Sequence, residues 1–324
     1  MAPAPRRMLI TGGAGFLGVN AAVHMVERGW HVTVLDNLSR SGTERNLEWL
    51  RSQHDRGVTF VKEDVRSAGA LAEHVREQDA ILHLAGQVAV TTSLVDPITD
   101  FDVNARGTLN VLEAVRLHNH DAPLVFSSTN KVYGKLELNS RPCDESRGID
   151  FHSPYGCSKG AADQYVRDYA RCFHMNTVVL RQSCIYGAHQ YGTEDQGWVA
   201  HFVHSILHDR PLTIYGDGKQ VRDLLDARDL SRLYEIAIEK IETTRGRIYN
   251  VGGGPDNQRN LLEVIERIGG LTGRKPRYSF AEWREGDQAY YVSDITRARE
   301  ELGWTPQIAF DQGLEDLVAW AKTV

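Results

Sequence analysis

The chain has 324 residues, of which 41% are hydrophobic, and its formal net charge is −6. This length provides apolar core for one large and one smaller domain, and a chain without a basic block or stripe is not expected to bind nucleic acid. No run of residues reaches the length of an apolar membrane span, and the opening residues lack the apolar region of a secretory signal, so we expect no membrane partner. The four cysteines have no metal-ligand spacing, which predicts free thiols and no bound metal.

The stretch from Met8 to Asp36 has the pattern of a strand, a glycine turn, a helix and a second strand. Gly12, Gly15 and Gly18 follow a G-x-x-G-x-x-G spacing. The first glycine suits a tight turn, the second lets backbone N–H groups approach a pyrophosphate, and the third lets the helix pack closely on the sheet. Asp36 ends the second strand, where a carboxylate can bind free ribose hydroxyls and would repel a 2′-phosphate. The pattern therefore predicts a site for NAD rather than NADP.

Apolar strand-like runs then alternate with helical stretches. The predicted strands cover 58–61, 79–84, 123–128 and 176–181, and the predicted helices cover 42–54, 68–77, 97–118 and 155–174. This alternation predicts an α/β fold with a doubly wound parallel (Rossmann) sheet. Ligands bind such sheets outside the carboxyl ends of the strands, which is where Asp64, Ala85 and Thr129 fall. His83 lies inside an apolar strand, and we interpret it as a core histidine rather than a catalytic one.

The regular alternation fades after Arg181. A loop rich in Gly, Gln and aromatic residues is expected over 186–198, strands over 221–225 and 247–252, and two or three helices over 260–324. We therefore expect an NAD-binding domain formed by residues 1–182 plus about 222–257, and a smaller C-terminal substrate domain formed by about 183–221 plus 258–324.

Tyr155 and Lys159 lie one turn apart at the start of a predicted helix, so their side chains share a face. A neighbouring ammonium stabilises a phenolate and lowers the tyrosine pKa from its ordinary value of about 10. Such a tyrosine can act as a general base on a hydroxyl group, and Thr129 can hydrogen-bond the same hydroxyl. The Y-x-x-x-K pattern is common on solvated helices, but its position after the fifth strand of a nucleotide-binding fold favours the catalytic interpretation.

Two other classes of function are alternatives to an NAD-dependent enzyme. Gly156-Cys-Ser-Lys-Gly160 matches the G-x-S-x-G turn of hydrolases, but that turn requires a strand running directly into Ser158. Here a polar loop over 150–154 precedes it, which argues against a hydrolase. A non-catalytic NAD-binding sensor is the other alternative, and it would not need the combination of Thr129, Tyr155 and Lys159.

Three motifs together resemble the extended short-chain dehydrogenase/reductase family, which contains nucleotide-sugar epimerases and dehydratases. They are the glycine loop 12–18, Ser127-Ser-Thr-Asn-Lys-Val-Tyr-Gly134, and Tyr155-x-x-x-Lys159, and the resemblance covers essentially the whole chain. It implies that Thr129, Tyr155 and Lys159 are the catalytic triad. An NAD enzyme of this family is expected in the cytoplasm.

The resemblance also implies two sets of binding residues. The cofactor-binding set is Gly12, Gly15, Phe16, Leu17, Gly18, Asp36, Asn37, Arg40, Asp64, Val65, Leu84, Ala85, Gly86, Asn104, Ser127, Tyr155 and Lys159. The substrate-binding set is Val90, Ser93, Thr129, Asn130, Gln182, Cys184, Gln196, Tyr215, Arg222 and Arg284. Two guanidinium groups, those of Arg222 and Arg284, suit a diphosphate clamp because each can bind phosphate oxygens bidentately. Arg40 alone would favour NADP, but Asp36 is the residue at the strand end.

Four stretches are similar to the family members that invert C2 of a CDP-activated deoxyhexose. They cover 127–134, 150–165, 195–198 and 218–223, and Cys184 departs from the asparagine that many family members carry there. This similarity implies a CDP-sugar substrate. A C4 epimerase of another nucleotide sugar would use the same residues and remains the alternative. A 4,6-dehydratase would need an Asp-Glu pair after Thr129, where this chain has Asn130-Lys131.

The predicted helices over 97–118 and 155–174 carry apolar faces larger than one sheet can cover. Members of the family pair these helices into a four-helix bundle. The resemblance therefore implies a homodimer.

Overall fold

The structure, a computed structural model, describes residues 4–137 and 140–324. Residues 1–3, which open the stretch judged to lack a secretory signal, lie outside this range. The strands are β1 Arg7–Thr11, β2 His31–Leu35, β3 Val58–Val61, β4 Ala80–His83, β5 Leu124–Thr129, β6 Thr177–Gln182, β7 Cys184–Tyr186, β8 Leu212–Tyr215, β9 Val221–Asp226, β10 Ile248–Val251, β11 Gln258–Asn260, β12 Tyr278–Ala281 and β13 Tyr290–Tyr291. The α-helices are α1 Phe16–Glu27, α2 Thr43–His54, α3 Ala68–Val75, α4 Val90–Val95, α5 Pro97–Phe101, α6 Gly107–His118, α7 Ser153–Cys172, α8 Trp198–Leu207, α9 Ala227–Glu239, α10 Ile241–Thr244, α11 Leu261–Thr272 and α12 Phe310–Ala321.

A seven-stranded parallel sheet with the order β10-β6-β5-β4-β1-β2-β3 forms the centre of the molecule. The middle residues of its central strands are apolar and buried on both sides, as Leu9 and Ile10 of β1 are, because helices cover both faces of the sheet. On one face, Val19 of α1 and Leu230 of α9 belong to the same buried cluster as Trp304. On the other face, Val111 of α6 and Val166 of α7 pack together in a second cluster. The predicted doubly wound α/β fold is confirmed.

The smaller part of the structure is built around β9. This strand pairs with β11 in antiparallel orientation and with β7 and β13 in parallel orientation, while β8 and β12 form a separate pair. Helices α8, α11 and α12 cover it through a buried cluster that includes Val203, Ile265 and Leu317. The C-terminal half of the chain therefore contributes a second, smaller core, as predicted.

The chain passes between the two cores more than once. Of the segment 222–257, β9 lies in the small sheet, whereas β10 lies in the large one. Trp304, from the C-terminal segment, is buried in the large core and donates its indole N–H to the Asp229 carbonyl oxygen at 3.0 Å. The division of the chain into two domains at the expected residues stays a proposal.

The single helix predicted over 97–118 differs from the structure. The helical path is continuous, but a π-helical turn over Asp102–Arg106 separates α5 from α6. Such a wider turn is frequent at functional sites because it redirects a side chain without ending the helix. Here it contains the buried residue Asn104.

Three further features bear on the class of protein. None of the helices in the described part of the chain is long and apolar enough to cross a membrane. Among residues 4–137 and 140–324, no group of three His, Cys, Asp or Glu side chains is arranged to hold a metal ion. All four cysteines are free thiols, which confirms that prediction.

Candidate functional site

The glycine turn after β1 has the geometry of a nucleotide-binding loop. Gly12 adopts φ +69°, and a Cβ added there would lie 2.7 Å from the backbone nitrogen of Ala85. A Cβ on Gly18 would overlap the carbonyl oxygen of Gly12, so both positions require glycine. Helix α1 begins directly after Gly15 with no side-chain cap and no acidic residue in its first turn. Its N-terminal N–H groups therefore face the turn and can bind an anion such as a pyrophosphate.

Asp36 is fixed at the end of β2. Its carboxylate is 8% exposed and accepts hydrogen bonds from the backbone N–H groups of Ala14 at 3.1 Å and Leu38 at 2.8 Å. Burial raises the pKa of Asp36, and these N–H donors oppose the shift. Nearby, Asn37 donates to the Asp64 carboxylate at 2.8 Å. The geometry fits the ribose of a dinucleotide, because a preoriented carboxylate at this strand end can accept from two adjacent hydroxyls.

Residues that follow neighbouring strands form one row along the carboxyl edge of the sheet. Because β3, β2, β1, β4 and β5 are adjacent in this order, the row consists of Asp64, Asp36, Gly12, Ala85 and Thr129. Most of the other predicted cofactor residues lie close in sequence to one of these five. The exceptions are Arg40, Asn104, Tyr155 and Lys159. Arg40 donates to the Gln196 amide oxygen at 2.9 Å and so joins the loop after β2 to the loop before α8.

His83 is a core residue, as the sequence predicted. The side chain is fully buried, and its two ring nitrogens pair with the hydroxyls of Thr11 at 2.6 Å and Thr108 at 3.0 Å. Burial lowers the pKa of His83 to about 3. The imidazole therefore stays neutral and holds β4 against β1 and α6.

Tyr155 and Lys159 lie in the first two turns of α7 and are both buried. The ammonium of Lys159 donates to the Ser127 carbonyl oxygen at 2.6 Å and lies 4.2 Å from the ring centroid of Phe126. Burial lowers the pKa of Lys159 to about 7. Burial also raises the pKa of Tyr155 to about 12, partly opposed by the facing Thr129 hydroxyl.

The expected lowering of the Tyr155 pKa by Lys159 is therefore wrong for this structure. Removal of the phenol from water disfavours the phenolate more than nearby groups favour it. Lys159 is held by the Ser127 carbonyl group, which directs the ammonium along the strand edge.

Asn104 connects the π-helical turn to α7. Its amide donates to Ser158 at 3.1 Å and to the Gln87 carbonyl oxygen at 3.0 Å, and it accepts from the Gln87 N–H at 2.9 Å. Ser158 in turn donates to the buried Asp100 carboxylate. Ser158 lies inside α7 and is 3% exposed, so it does not have the strand-to-turn setting of a hydrolase nucleophile.

A cavity of about 290 Å³ lies between the sheet edge and the smaller core. Eight of the predicted substrate residues line it, namely Val90, Thr129, Asn130, Cys184, Gln196, Tyr215, Arg222 and Arg284. Tyr155 also reaches this cavity. Ser93 and Gln182 are not among the lining residues. Ser93 accepts the backbone N–H of the lining residue Tyr155 at 3.1 Å and so supports the cavity wall, whereas Gln182 donates to Tyr234 of the large core at 2.8 Å.

The two predicted clamp arginines already contact carboxylates. Arg222 pairs with Asp287 at 2.8 Å. Arg284 pairs with Glu194 at 2.9 Å and lies 3.7 Å from the ring centroid of Tyr215. A bound diphosphate would share these cations with the carboxylates or displace them, because each guanidinium presents a limited set of donors.

The sequence analysis missed five charged residues that line the cavity. They are Lys131, Glu194, Asp195, Glu285 and Asp287. Lys131 is two residues beyond Thr129, and Asp287 closes the Arg-Glu-Gly-Asp stretch that begins at Arg284. Both could have been found as neighbours of predicted residues within one motif. Glu194 had no comparable signal, because its loop acquires a position only through the fold.

The sequence matches the GDP-mannose 4,6 dehydratase family over residues 9–317. The chain is also 41% identical to CDP-paratose 2-epimerase of Salmonella typhi, in an alignment that covers 98% of this chain and all of the relative.

Solved structures extend the comparison to the fold. The UDP-glucose 4-epimerase of Thermus thermophilus in complex with NAD is 31% identical, with a TM-score of 0.88 and coverage of 98% of this chain and 99% of that one. UDP-glucuronic acid 4-epimerase of Bacillus cereus, in complex with UDP-glucuronic acid and NAD, is 27% identical, with a TM-score of 0.89 and the same coverage. The chain belongs to the extended short-chain dehydrogenase/reductase family of NAD-dependent nucleotide-sugar epimerases and dehydratases.

Proposed function

We propose that the protein is an NAD-dependent epimerase that converts CDP-paratose to CDP-tyvelose by inversion at C2. The observation that carries the proposal is the cavity that Thr129 and Tyr155 line together with Arg222 and Arg284. This arrangement suits a substrate with a hydroxyl to be deprotonated and a diphosphate to be held. The full-length similarity to CDP-paratose 2-epimerase supports the choice of sugar and base.

The chain offers a site for each part of the dinucleotide. The uncapped start of α1 would hold the pyrophosphate, and the Asp36 carboxylate would hold the adenosine ribose. A carboxylate at that position disfavours a 2′-phosphate, which supports NAD over NADP. Lys159, directed along the strand edge toward Ser127, would hold the nicotinamide ribose. When bound, NAD supplies a hydride acceptor and donor next to the sugar.

The reaction asks two things of the protein besides cofactor binding. Tyr155 removes the proton of the C2 hydroxyl as that carbon is oxidised, and returns it when the carbon is reduced. Burial raises the pKa of Tyr155 to about 12, and the positive charge that opposes this shift is the Arg40 guanidinium, whereas the Lys159 ammonium is held by the Ser127 carbonyl group. Thr129 aligns the hydroxyl. Arg222 and Arg284 keep the diphosphate while the neutral keto sugar turns and presents its other face.

The other enzymes of the family differ in what they would require here. A C4 epimerase would use the same groups with another pose of the sugar, and it remains the second candidate. A 4,6-dehydratase must protonate a leaving hydroxyl, and the two residues after Thr129 are an amide and an ammonium rather than a carboxyl pair. Asn130 donates its amide to the Gln288 side-chain oxygen at 3.3 Å, and a carboxamide N–H is not acidic enough to protonate a leaving hydroxyl.

The substrate assignment is tested by incubating the purified protein with CDP-paratose, UDP-glucose and dTDP-glucose in separate reactions followed by proton NMR. We expect a new C2-epimeric product from CDP-paratose alone. Inversion of UDP-glucose at C4 would transfer the assignment to the second candidate. Loss of water from dTDP-glucose would establish a dehydratase.

A second prediction concerns kcat after replacement of Tyr155, the proposed general base. Tyr155→Phe removes the hydroxyl and should lower kcat by a factor of about 10² to 10⁴ or more, because general-base catalysis contributes that much. Tyr165→Phe makes the same chemical change on the same helix at a side chain that is 47% exposed, and it should retain wild-type kcat. Near wild-type turnover by Tyr155→Phe, with the fold checked by circular dichroism, would refute its role.

We further propose that the protein forms a homodimer through the helices around α7. Helices α4 and α5 pack on α7, yet their outer face exposes Val95, Ile98 and Phe101 at 86%, 72% and 51%. Contiguous exposed apolar side chains of this size mark an interaction surface. Pairing α6 and α7 with their copies in a partner subunit would form a four-helix bundle and cover this face.

Sedimentation velocity at micromolar concentration tests the dimer. We expect a dimer mass for the wild type and a monomer mass for Phe101→Glu, because the charge would be buried without a partner. Phe280→Glu places the same charge on β12 at a side chain that is 57% exposed, and it should stay dimeric. A monomeric wild type, or equal masses for the two variants, would contradict the proposed surface.

A further inference from the structure

Lys131 belongs to the reaction cavity, at a position where a 4,6-dehydratase would need a carboxyl group. It lies in the short turn after β5, where the backbone N–H of Lys131 donates to the Thr129 hydroxyl at 3.2 Å. Its side chain is 20% exposed and lines the same cavity as Thr129 and Tyr155. A lysine placed here has its ammonium at the wall that the sugar must approach.

The contacts of Lys131 use only part of the hydrogen-bonding capacity of its ammonium group. The Gly286 carbonyl oxygen, 3.2 Å away, accepts one of its three N–H groups. Its ammonium lies 3.8 Å from the Asp287 carboxylate oxygen that Arg222 contacts at 2.8 Å. Two cations therefore share one carboxylate, so the cluster Lys131–Arg222–Asp287 is itself net positive. The other carboxylates of the cavity lining are Glu194 and Asp195, which pair with Arg284, and Glu285. Buried excess charge of this kind suits an anionic ligand.

The position of this cluster specifies which part of the ligand it meets. Lys131 is adjacent to Thr129 along the chain and adjacent to Arg222 through Asp287. It therefore stands between the group that aligns the reacting hydroxyl and the group proposed to hold the diphosphate. In a sugar that reacts at C2, the phosphate attached to C1 must lie close to the reacting carbon, because only C1 and one oxygen separate them. In a sugar that reacts at C4, the ring lies between the two.

We propose that the Lys131 ammonium binds the sugar-proximal phosphate of the substrate and fixes the pivot about which the sugar turns. This inference rests on the proposed C2 epimerisation and adds a binding residue to it. Burial and the neighbouring Arg222 lower the pKa of Lys131 to about 8, with Asp287 opposing the shift, while the nearby Cys184 thiol is kept neutral by its own raised pKa. Affinity for the diphosphate should therefore weaken as the pH rises through about 8.

Isothermal titration with CMP and CDP tests the contact in NAD-saturated protein, without turnover. CDP has a phosphate at the sugar-proximal position, and CMP does not. For Lys131→Met we expect CDP affinity to fall about tenfold or more, the range for a lost hydrogen bond to a charged group, and CMP affinity to stay within about twofold. Lys131→Arg should retain most of the CDP affinity, and this affinity should no longer weaken above about pH 8.

The control is Lys135→Met, which removes the same charge from an exposed side chain four residues along the chain and should leave both affinities unchanged. Equal losses for CMP and CDP in Lys131→Met, or no loss for CDP, would overturn the contact. If the wild type binds UDP but not CDP, the assignment of cytosine as the nucleotide base is wrong. The affinities of the wild type and Lys131→Met for UDP and UMP then test the Lys131 contact in the same way. A wild type that binds no nucleoside diphosphate would refute the proposed function itself.

Discussion

The parallel pairing of β3, β2, β1, β4 and β5 is the constraint on which the site depends. Parallel strands end at a common edge, so residues far apart in the chain meet there without any further device. Asp36 and Thr129 belong to the two ends of the proposed NAD site. The strands that hold them, β2 and β5, are themselves largely buried. The helices that cover the sheet begin or turn at the same edge. Helix α1 follows β1 and helix α7 follows β5, so the starts of both helices come after strands that end at the proposed cofactor site.

Charge in the substrate cavity is arranged in shared rather than isolated pairs. Arg222 and Lys131 both contact the Asp287 carboxylate. Arg284 pairs with Glu194 and stacks on the Tyr215 ring. A buried cation without a partner would destabilise the fold, so carboxylates keep these groups in place before an anion arrives. In the proposed diphosphate site, the same carboxylates would share these cations with the ligand. The binding free energy of the nucleotide would then include this exchange of partners.

The large-scale fold and the position of the site could be predicted from the sequence, because alternation of apolar strands and helices determines a parallel sheet and its ligand-binding edge. Gly12 was predicted for the tight turn that its positive φ confirms, whereas Gly18 is required by close contact with the backbone of Gly12 and Gly13 in the turn rather than with the sheet. The π-helical turn around Asn104 was missed because no residue type in this continuous helical stretch marks where the turn widens. The state of Tyr155 was also missed, because spacing shows that Lys159 is near but not how strongly burial disfavours the phenolate. The role of Lys131 depends on contacts with Gly286 and Asp287, which no local pattern contains.

In the proposed reaction the sugar is oxidised and reduced again at one carbon, and Tyr155 transfers only the hydroxyl proton. The most direct test follows the hydrogen on C2 during epimerisation of CDP-paratose by mass spectrometry and NMR. Unlabelled substrate in D₂O should gain no deuterium on the ring, and C2-deuterated substrate in H₂O should retain its label in the epimeric product. Entry of solvent deuterium at C2, or loss of the label to water, would show deprotonation at carbon and contradict the account.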